Sequence, residues 1–159
     1  MQLVEENDLS LIQDLEEILQ LTPTDMTIFF RLLSNFSADT VGLKMVEQAF
    51  YNLKDLTGTT KSRWNHWFDK YRARLQKETQ SQQQRKNKMD AINPKYVLRN
   101  YMAKLAIDAA DKKDYALINE LFELLKKPYS EQPEKEKWFA KRPDWAKNKI
   151  GCSMLSCSS

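Results

Sequence analysis

The sequence predicts an all-α protein, with about six helices in an irregular bundle followed by an extended C-terminal tail containing Pro and Trp. Three observations predict it. Apolar residues recur at helical spacing through most of positions 1–127. Capping residues and prolines punctuate those runs where helices start and stop. The period-two alternation of a half-buried strand persists nowhere. With 159 residues, the chain has about one domain's length and can bury a core without disulfide staples.

The elements follow in order. Ser10 with Gln13 three residues on resembles a capping box, and Leu11, Leu15, Ile18 and Leu19 carry a first helix to about Leu21. Thr22-Pro23-Thr24-Asp25 sets a hydroxyl cap before a proline at the first helical position. Met26, Phe29, Phe30, Leu33 and Phe36 then form the stripe of a second helix. Leu43, Val46, Phe50 and Leu53 fit a third, which Thr57-Gly58-Thr59 ends. Trp64, Trp67, Phe68, Tyr71 and Leu75 give a fourth helix a strongly aromatic face. From Gln76 to Lys88 that face gives way to Gln, Lys and Arg, which predicts a solvated helix or a flexible connection. Asn93-Pro94 restarts a helix through Leu98, Tyr101, Met102, Leu105, Ala106 and Ala109. Asp114 caps a shorter one through Leu117, Leu121, Phe122 and Leu125, stopped by Pro128. Pro133, Trp138, Phe139, Pro143 and Trp145 follow without periodicity, as in a tail lying across another surface.

These elements divide the chain into a helical segment, 1–127, and an extended tail, 128–159. Charge subdivides the helical part. Residues 1–60 carry 3 basic and 10 acidic side chains, a net of −7, whereas residues 61–104 carry 12 and 3, a net of +9. The 61–92 stretch is thus basic and partly solvated, and 93–127 reads as a helical pair. Such blocks indicate either a polyanionic partner or two parts of the chain attracting each other.

Candidate chemistry is sparse. Gly42, Gly58 and Gly151 stand too far apart for any phosphate-cradling loop. The start, Met1-Gln2-Leu3-Val4-Glu5-Glu6, lacks the basic and apolar regions of a signal peptide. No apolar stretch approaches the ~18 residues of a membrane span. A soluble, intracellular protein is expected. His66 is the sole histidine, without partners at metal or triad spacing, and reads as a surface or boundary imidazole. Glu5-Glu6 and Glu16-Glu17 are adjacent carboxylates that point apart on a helix. No residue is assigned a catalytic, cofactor-binding or metal-ligating role.

Arg63, Lys70, Arg72, Arg74, Lys77, Arg85, Lys86 and Lys88 could contact phosphates while Trp64, Trp67 and Tyr71 stack on bases. Those aromatics fall at i, i+3 and i+7, however, the spacing of a core stripe, so a core plus a solvated basic face is preferred to nucleic-acid binding. Cys152 and Cys157 are separated by four residues, matching neither a thioredoxin motif nor a zinc knuckle. Cys157 also sits one residue too late for a prenylation box.

Several segments together resemble one family. They are Asn93-Pro94-Lys95-Tyr96-Val97-Leu98-Arg99-Asn100-Tyr101, Pro128-Tyr129-Ser130-Glu131-Gln132-Pro133, Arg142-Pro143-Asp144-Trp145-Ala146 and Ser156-Cys157-Ser158-Ser159. With Phe29-Phe30-Arg31-Leu32-Leu33-Ser34 and Tyr71-Arg72-Ala73-Arg74-Leu75 upstream, they look like the C-terminal part of the SelO (YdiU) family. The resemblance implies pseudokinases of protein-kinase-like fold that transfer AMP from ATP to Ser, Thr or Tyr hydroxyls of proteins, with Mg or Mn. Full-length relatives would be cytoplasmic in bacteria and mitochondrial in eukaryotes. The family's nucleotide- and metal-binding residues lie upstream of anything matched here, so this chain alone is expected to be inactive, its partner being the upstream kinase-like domain. The one position carried over is Cys157, as a redox element matching the family's terminal Cys or selenocysteine and bonding to a cysteine of the core. Cys152 has no counterpart, and a local Cys152 to Cys157 bridge is the alternative. A stand-alone helical module binding protein or nucleic acid through the basic middle is the competing expectation for the whole chain.

Overall fold

The computed structural model describes residues 6–149 and Cys152. Its α-helices are α1 (Glu6–Leu21), α2 (Met26–Leu33), α3 (Gly42–Met45), α4 (Gly58–Leu75), α5 (Gln82–Ile92), α6 (Asn100–Ala110) and α7 (Ala116–Leu125). Single 3₁₀ turns span Glu47–Ala49, Leu53–Asp55, Pro133–Trp138 and Asp144–Ala146. The described residues contain no strand, only one antiparallel bridge between Thr24 and Phe50. The predicted all-α class is therefore found. The chain forms two compact units, one ending at Asp90 and the other beginning at Ala91.

The first unit is organised by α4. Trp64, Trp67, Phe68 and Tyr71 are buried along one face of it. They meet Phe29 of α2, Phe36 just beyond α2, and Phe50, with ring centroids 5.1 to 6.4 Å apart. Such tilted and offset ring pairs add to the burial of large apolar surfaces. Leu11, Leu15 and Ile18 supply the buried face of α1. Gly42 opens α3 directly over Phe68, where an added Cβ would lie 2.2 Å from the ring. Any larger residue would have to displace that ring.

Several local expectations are corrected here. α1 is already helical at Glu6, so Ser10 is an exposed interior residue of the helix, not its cap. α2 starts at Met26 and is capped by Asp25, whose Oδ1 accepts from the Ile28 amide at 3.1 Å. Thr22 and Pro23 precede it, because both are committed elsewhere. The Thr22 hydroxyl accepts from Trp64 Nε1 at 3.2 Å, and the Pro23 carbonyl accepts from the Tyr51 amide at 3.0 Å. The predicted third helix is broken into α3 and two 3₁₀ turns. Val46 leaves helical geometry, and Phe50 is extended so that the Asp25 amide can reach the Ala49 carbonyl at 2.8 Å. The segment after Gln76 contains a solvated helix, α5, with Arg85 as its buried residue.

In the second unit, Tyr96, Met102, Leu124 and Phe139 are buried. Asn93-Pro94 does not start a helix, since the amides of Lys95 and Tyr96 both donate to the Pro128 carbonyl, at 2.8 and 3.1 Å. That pairing holds the chain non-helical until Asn100. The N-cap of α7 is Tyr115 and not Asp114, which lies one residue earlier and accepts from the Ala116 amide at 3.0 Å. Leu121 and Leu124 are the buried residues of α7, whereas Phe122, expected on its apolar face, is 60% exposed. The tail contains short 3₁₀ turns that bury Phe139 and Ala146 and leave Trp145 exposed.

Candidate functional site

The basic face of α4, the strongest candidate surface in the sequence, is occupied by α1. Arg63 reaches Glu17 at 2.8 Å, Lys70 reaches Asp14 at 2.6 Å, and Arg74 reaches Asp8 at 2.5 Å through Nε. Rising numbers on α4 meet falling numbers on α1, so the two helices run antiparallel and pair charge by charge. Between the outer pairs, Trp67 Nε1 donates to the Leu11 carbonyl at 2.9 Å. Arg63 and Lys70 are partly exposed, and such pairs contribute about 0–1 kcal/mol each. Arg74 and Asp8 differ. Their side chains are only 9% and 1% exposed, and a second contact at 3.1 Å makes the pair bidentate.

The remaining candidate phosphate contacts are also engaged. Arg72 donates to the Ala38 and Thr40 carbonyls and pairs with Asp69. Lys86 pairs with Asp90 at 2.6 Å, and Lys88 donates to Gln80. Arg85 is buried and donates to the Phe36 carbonyl. Trp64, Trp67 and Tyr71 lie in the core, with no face free for a base. The ion pairs between α1 and α4 are an attraction between the acidic and basic blocks. His66 is exposed beside Arg63 and Lys70.

Sequence reasoning missed the polar lining of a cleft between α1, α2, α4 and α5, where Tyr71, Glu78 and Arg85 meet apolar side chains. Burial pushes the Tyr71 hydroxyl up to about 12, against the pull of Arg85 and with the help of Glu78. Its ring pattern marks Tyr71 as core and Arg85 reads only as a candidate phosphate contact, while nothing local marks Glu78.

In the second unit, Cys152 is a buried, free thiol, and Cys157 lies outside the described residues. Lys95 is clasped by Glu131 and Glu136, each 2.6 Å from its Nζ, with the Tyr96 and Phe139 rings nearby. Burial opposes that ammonium, but the two carboxylates outweigh it and raise its pKa. Glu120 of α7 accepts from Lys137 at 2.8 Å and from Trp138 Nε1 at 2.9 Å. Those hydrogen bonds, the Lys137 one foremost, pull its carboxyl from 4.5 down to about 2. A depressed carboxyl pKa stabilises the fold above the unfolded value, and that contribution is lost as pH falls through the folded one. The stability gap between the protein and Glu120→Gln should therefore be open at pH 7 and close between about pH 4.5 and pH 2. Melting curves at a series of pH values would show it, and a gap independent of pH would contradict the assignment.

No three His, Cys, Asp or Glu side chains among the described residues are placed to hold a metal ion. The acidic residues of α1 that face α4 are tied to cations. No helix among them is long and apolar enough to cross a membrane.

Residues 1–126 match the family model described as protein adenylyltransferase SelO. The chain belongs to the SelO family. SelO relatives named protein nucleotidyltransferase YdiU include one from Flavobacterium johnsoniae, 59% identical over 157 residues, which covers 97% of this chain. Others from Aromatoleum aromaticum and Rhodopirellula baltica are each 42% identical, again over 97% of the chain. This SelO chain spans only 30%, 29% and 31% of the length of those three proteins, respectively.

Proposed function

We propose that this chain is the C-terminal helical part of a SelO-type protein adenylyltransferase, an enzyme that moves AMP from ATP to Ser, Thr or Tyr hydroxyls of proteins. It packs on or extends the kinase-like lobe and supplies no catalytic group. The observation that carries the reading is the match along nearly the whole chain to about 30% of much longer nucleotidyltransferases. The exposed stripe of Tyr115, Ile118 and Phe122 on and beside α7 agrees with it, because such a surface suits a chain that lies against more protein. Nucleotidyl transfer needs cations on the phosphates and a metal held by carboxylates, in one place. In this reading that assembly, with ATP and Mg or Mn, belongs to the portion of the relatives outside the matched span. Cys157 is its redox element, pairing with a cysteine of the kinase-like core, and Cys152 is the second thiol. The compartment in this reading is the cytoplasm for a bacterial member and the mitochondrion for a eukaryotic one.

The test uses labelled ATP with Mg or Mn and a protein acceptor. The 159-residue chain alone should transfer no AMP, and joining it to the unmatched portion of the Flavobacterium johnsoniae relative should give transfer. Metal-dependent labelling by the chain alone would overturn the assignment.

A further inference from the structure

We propose that the cleft between α1, α2, α4 and α5 is a docking site for a peptide segment that inserts one large apolar side chain and offers its backbone amide to Glu78 and Arg85. The cleft holds about 180 Å³, and Leu15, Phe30, Trp67 and Leu75 are among its walls. A dry apolar cavity of ~150 Å³ accommodates a benzene ring. The space therefore suits one aromatic or branched aliphatic side chain.

The polar atoms in the same cleft specify what accompanies that side chain. The Glu78 side chain is 7% exposed, and its Oε2 accepts from Gln80 at 2.6 Å. Its Oε1 is buried with no hydrogen bond, the Arg74 guanidinium standing off at 3.6 Å. Arg85 is 8% exposed, with one terminal nitrogen on the Phe36 carbonyl and its Nε buried and unbonded. Buried polar atoms without hydrogen bonds are rare in folded proteins, and here an acceptor, ion-paired with Arg74 but not hydrogen-bonded, and a donor line one cavity. A carboxylate ligand would satisfy Arg85 but be repelled by Glu78, and an ammonium would meet the reverse. A neutral amide satisfies both, its N–H donating to Glu78 and its C=O accepting from Arg85. A peptide bond flanking an apolar residue unites all three requirements.

The occupant is a segment of the same polypeptide, from the roughly 70% of the relatives that this chain does not span. That commitment rests on the reading of the chain as part of a longer enzyme. The experiment titrates overlapping peptides from the unmatched portion of the Flavobacterium johnsoniae relative into the 159-residue chain, with amide chemical shifts of the cleft residues as the readout. N-acetylphenylalaninamide is the small-molecule control. One peptide should bind at the cleft. Glu78→Leu should weaken it by at least about tenfold, as expected for loss of a charged hydrogen-bond acceptor. The same variant also gives up the Gln80 hydrogen bond and the Arg74 ion pair, so its melting temperature is measured alongside, and Glu78→Gln, which keeps an acceptor in the cleft, should bind as the parent chain does. Leu75→Trp, which fills the cleft, should abolish binding.

Cleft resonances unmoved by every peptide, or binding indifferent to both Glu78→Leu and Leu75→Trp, would overturn the proposal. Equally tight binding of N-acetylphenylalaninamide would overturn the peptide assignment in favour of a small ligand. AMP transfer by the joined protein separates the two readings. Transfer without peptide binding removes the docking site alone, and cleft binding without transfer removes the enzymatic reading alone.

Discussion

Replacing Arg74 with Ala should lower the free energy of unfolding by about 3–5 kcal/mol, the usual cost of stranding one member of a buried ion pair. Asp8 would be left 1% exposed with its bidentate partner gone. The Coulomb attraction within such a pair is largely offset by desolvation, so the penalty arises from the orphaned charge and not from the intact pair. A second variant separates these terms. Asp8→Leu with Arg74→Met, which removes both charges of the pair and keeps apolar bulk, should recover part of the loss, because Glu78 still loses the Arg74 guanidinium 3.6 Å away. Urea unfolding followed by tryptophan fluorescence measures both. A loss below about 1 kcal/mol for Arg74→Ala would place the pair with the exposed bridges Arg63–Glu17 and Lys70–Asp14, whose removal costs little.

Trp64→Ala should cost a similar amount, about 3–5 kcal/mol. Trp64 is fully buried and lies against Phe29, Phe50, Trp67 and Phe68, with ring centroids between 5.1 and 6.4 Å. Truncation removes those contacts, leaves a cavity that rigid rings cannot close, and frees the buried Thr22 hydroxyl from its indole donor. His66→Ala, two residues along the same helix but exposed, should stay within about 0.5 kcal/mol. Denaturant midpoints for the two variants test the contrast. Equal effects would mean that the aromatic face of α4 is not the centre of the first unit.

The two variants also show what a sequence reveals. Trp64 could be assigned to the core because Trp64, Trp67, Phe68 and Tyr71 repeat at helical spacing, and large rings kept on one side of a helix for that length mark its buried face. The interrupted region after α2 could not be read the same way. Leu43, Val46 and Phe50 have helical spacing, yet Phe50 is extended, because the chain there bonds to residues 23–25. Asn93-Pro94 misled for a related reason, since Lys95 and Tyr96 are tied to the carbonyl of the distant Pro128 and the chain turns helical only at Asn100. Phe122 was assigned to the wrong face because Ile118, Leu121, Phe122, Leu124 and Leu125 give α7 more apolar residues than one buried stripe can hold, and packing chose Leu121 and Leu124.

The sequence by itself determined the helical class, the aromatic face of α4, the acidic and basic blocks, and, through segments spread along the chain, the family. These depend on residue types and on helical spacings, which are local properties of the chain. Only the tertiary structure decided that Asp8 meets Arg74, that α1 neutralises the basic face of α4, and that Glu78 and Arg85 bring unbonded atoms into one apolar cleft. Those pairings join residues up to 66 positions apart. Their partners are chosen by how helices pack, and burial turns a charge that would be inconsequential in water into one that must be matched.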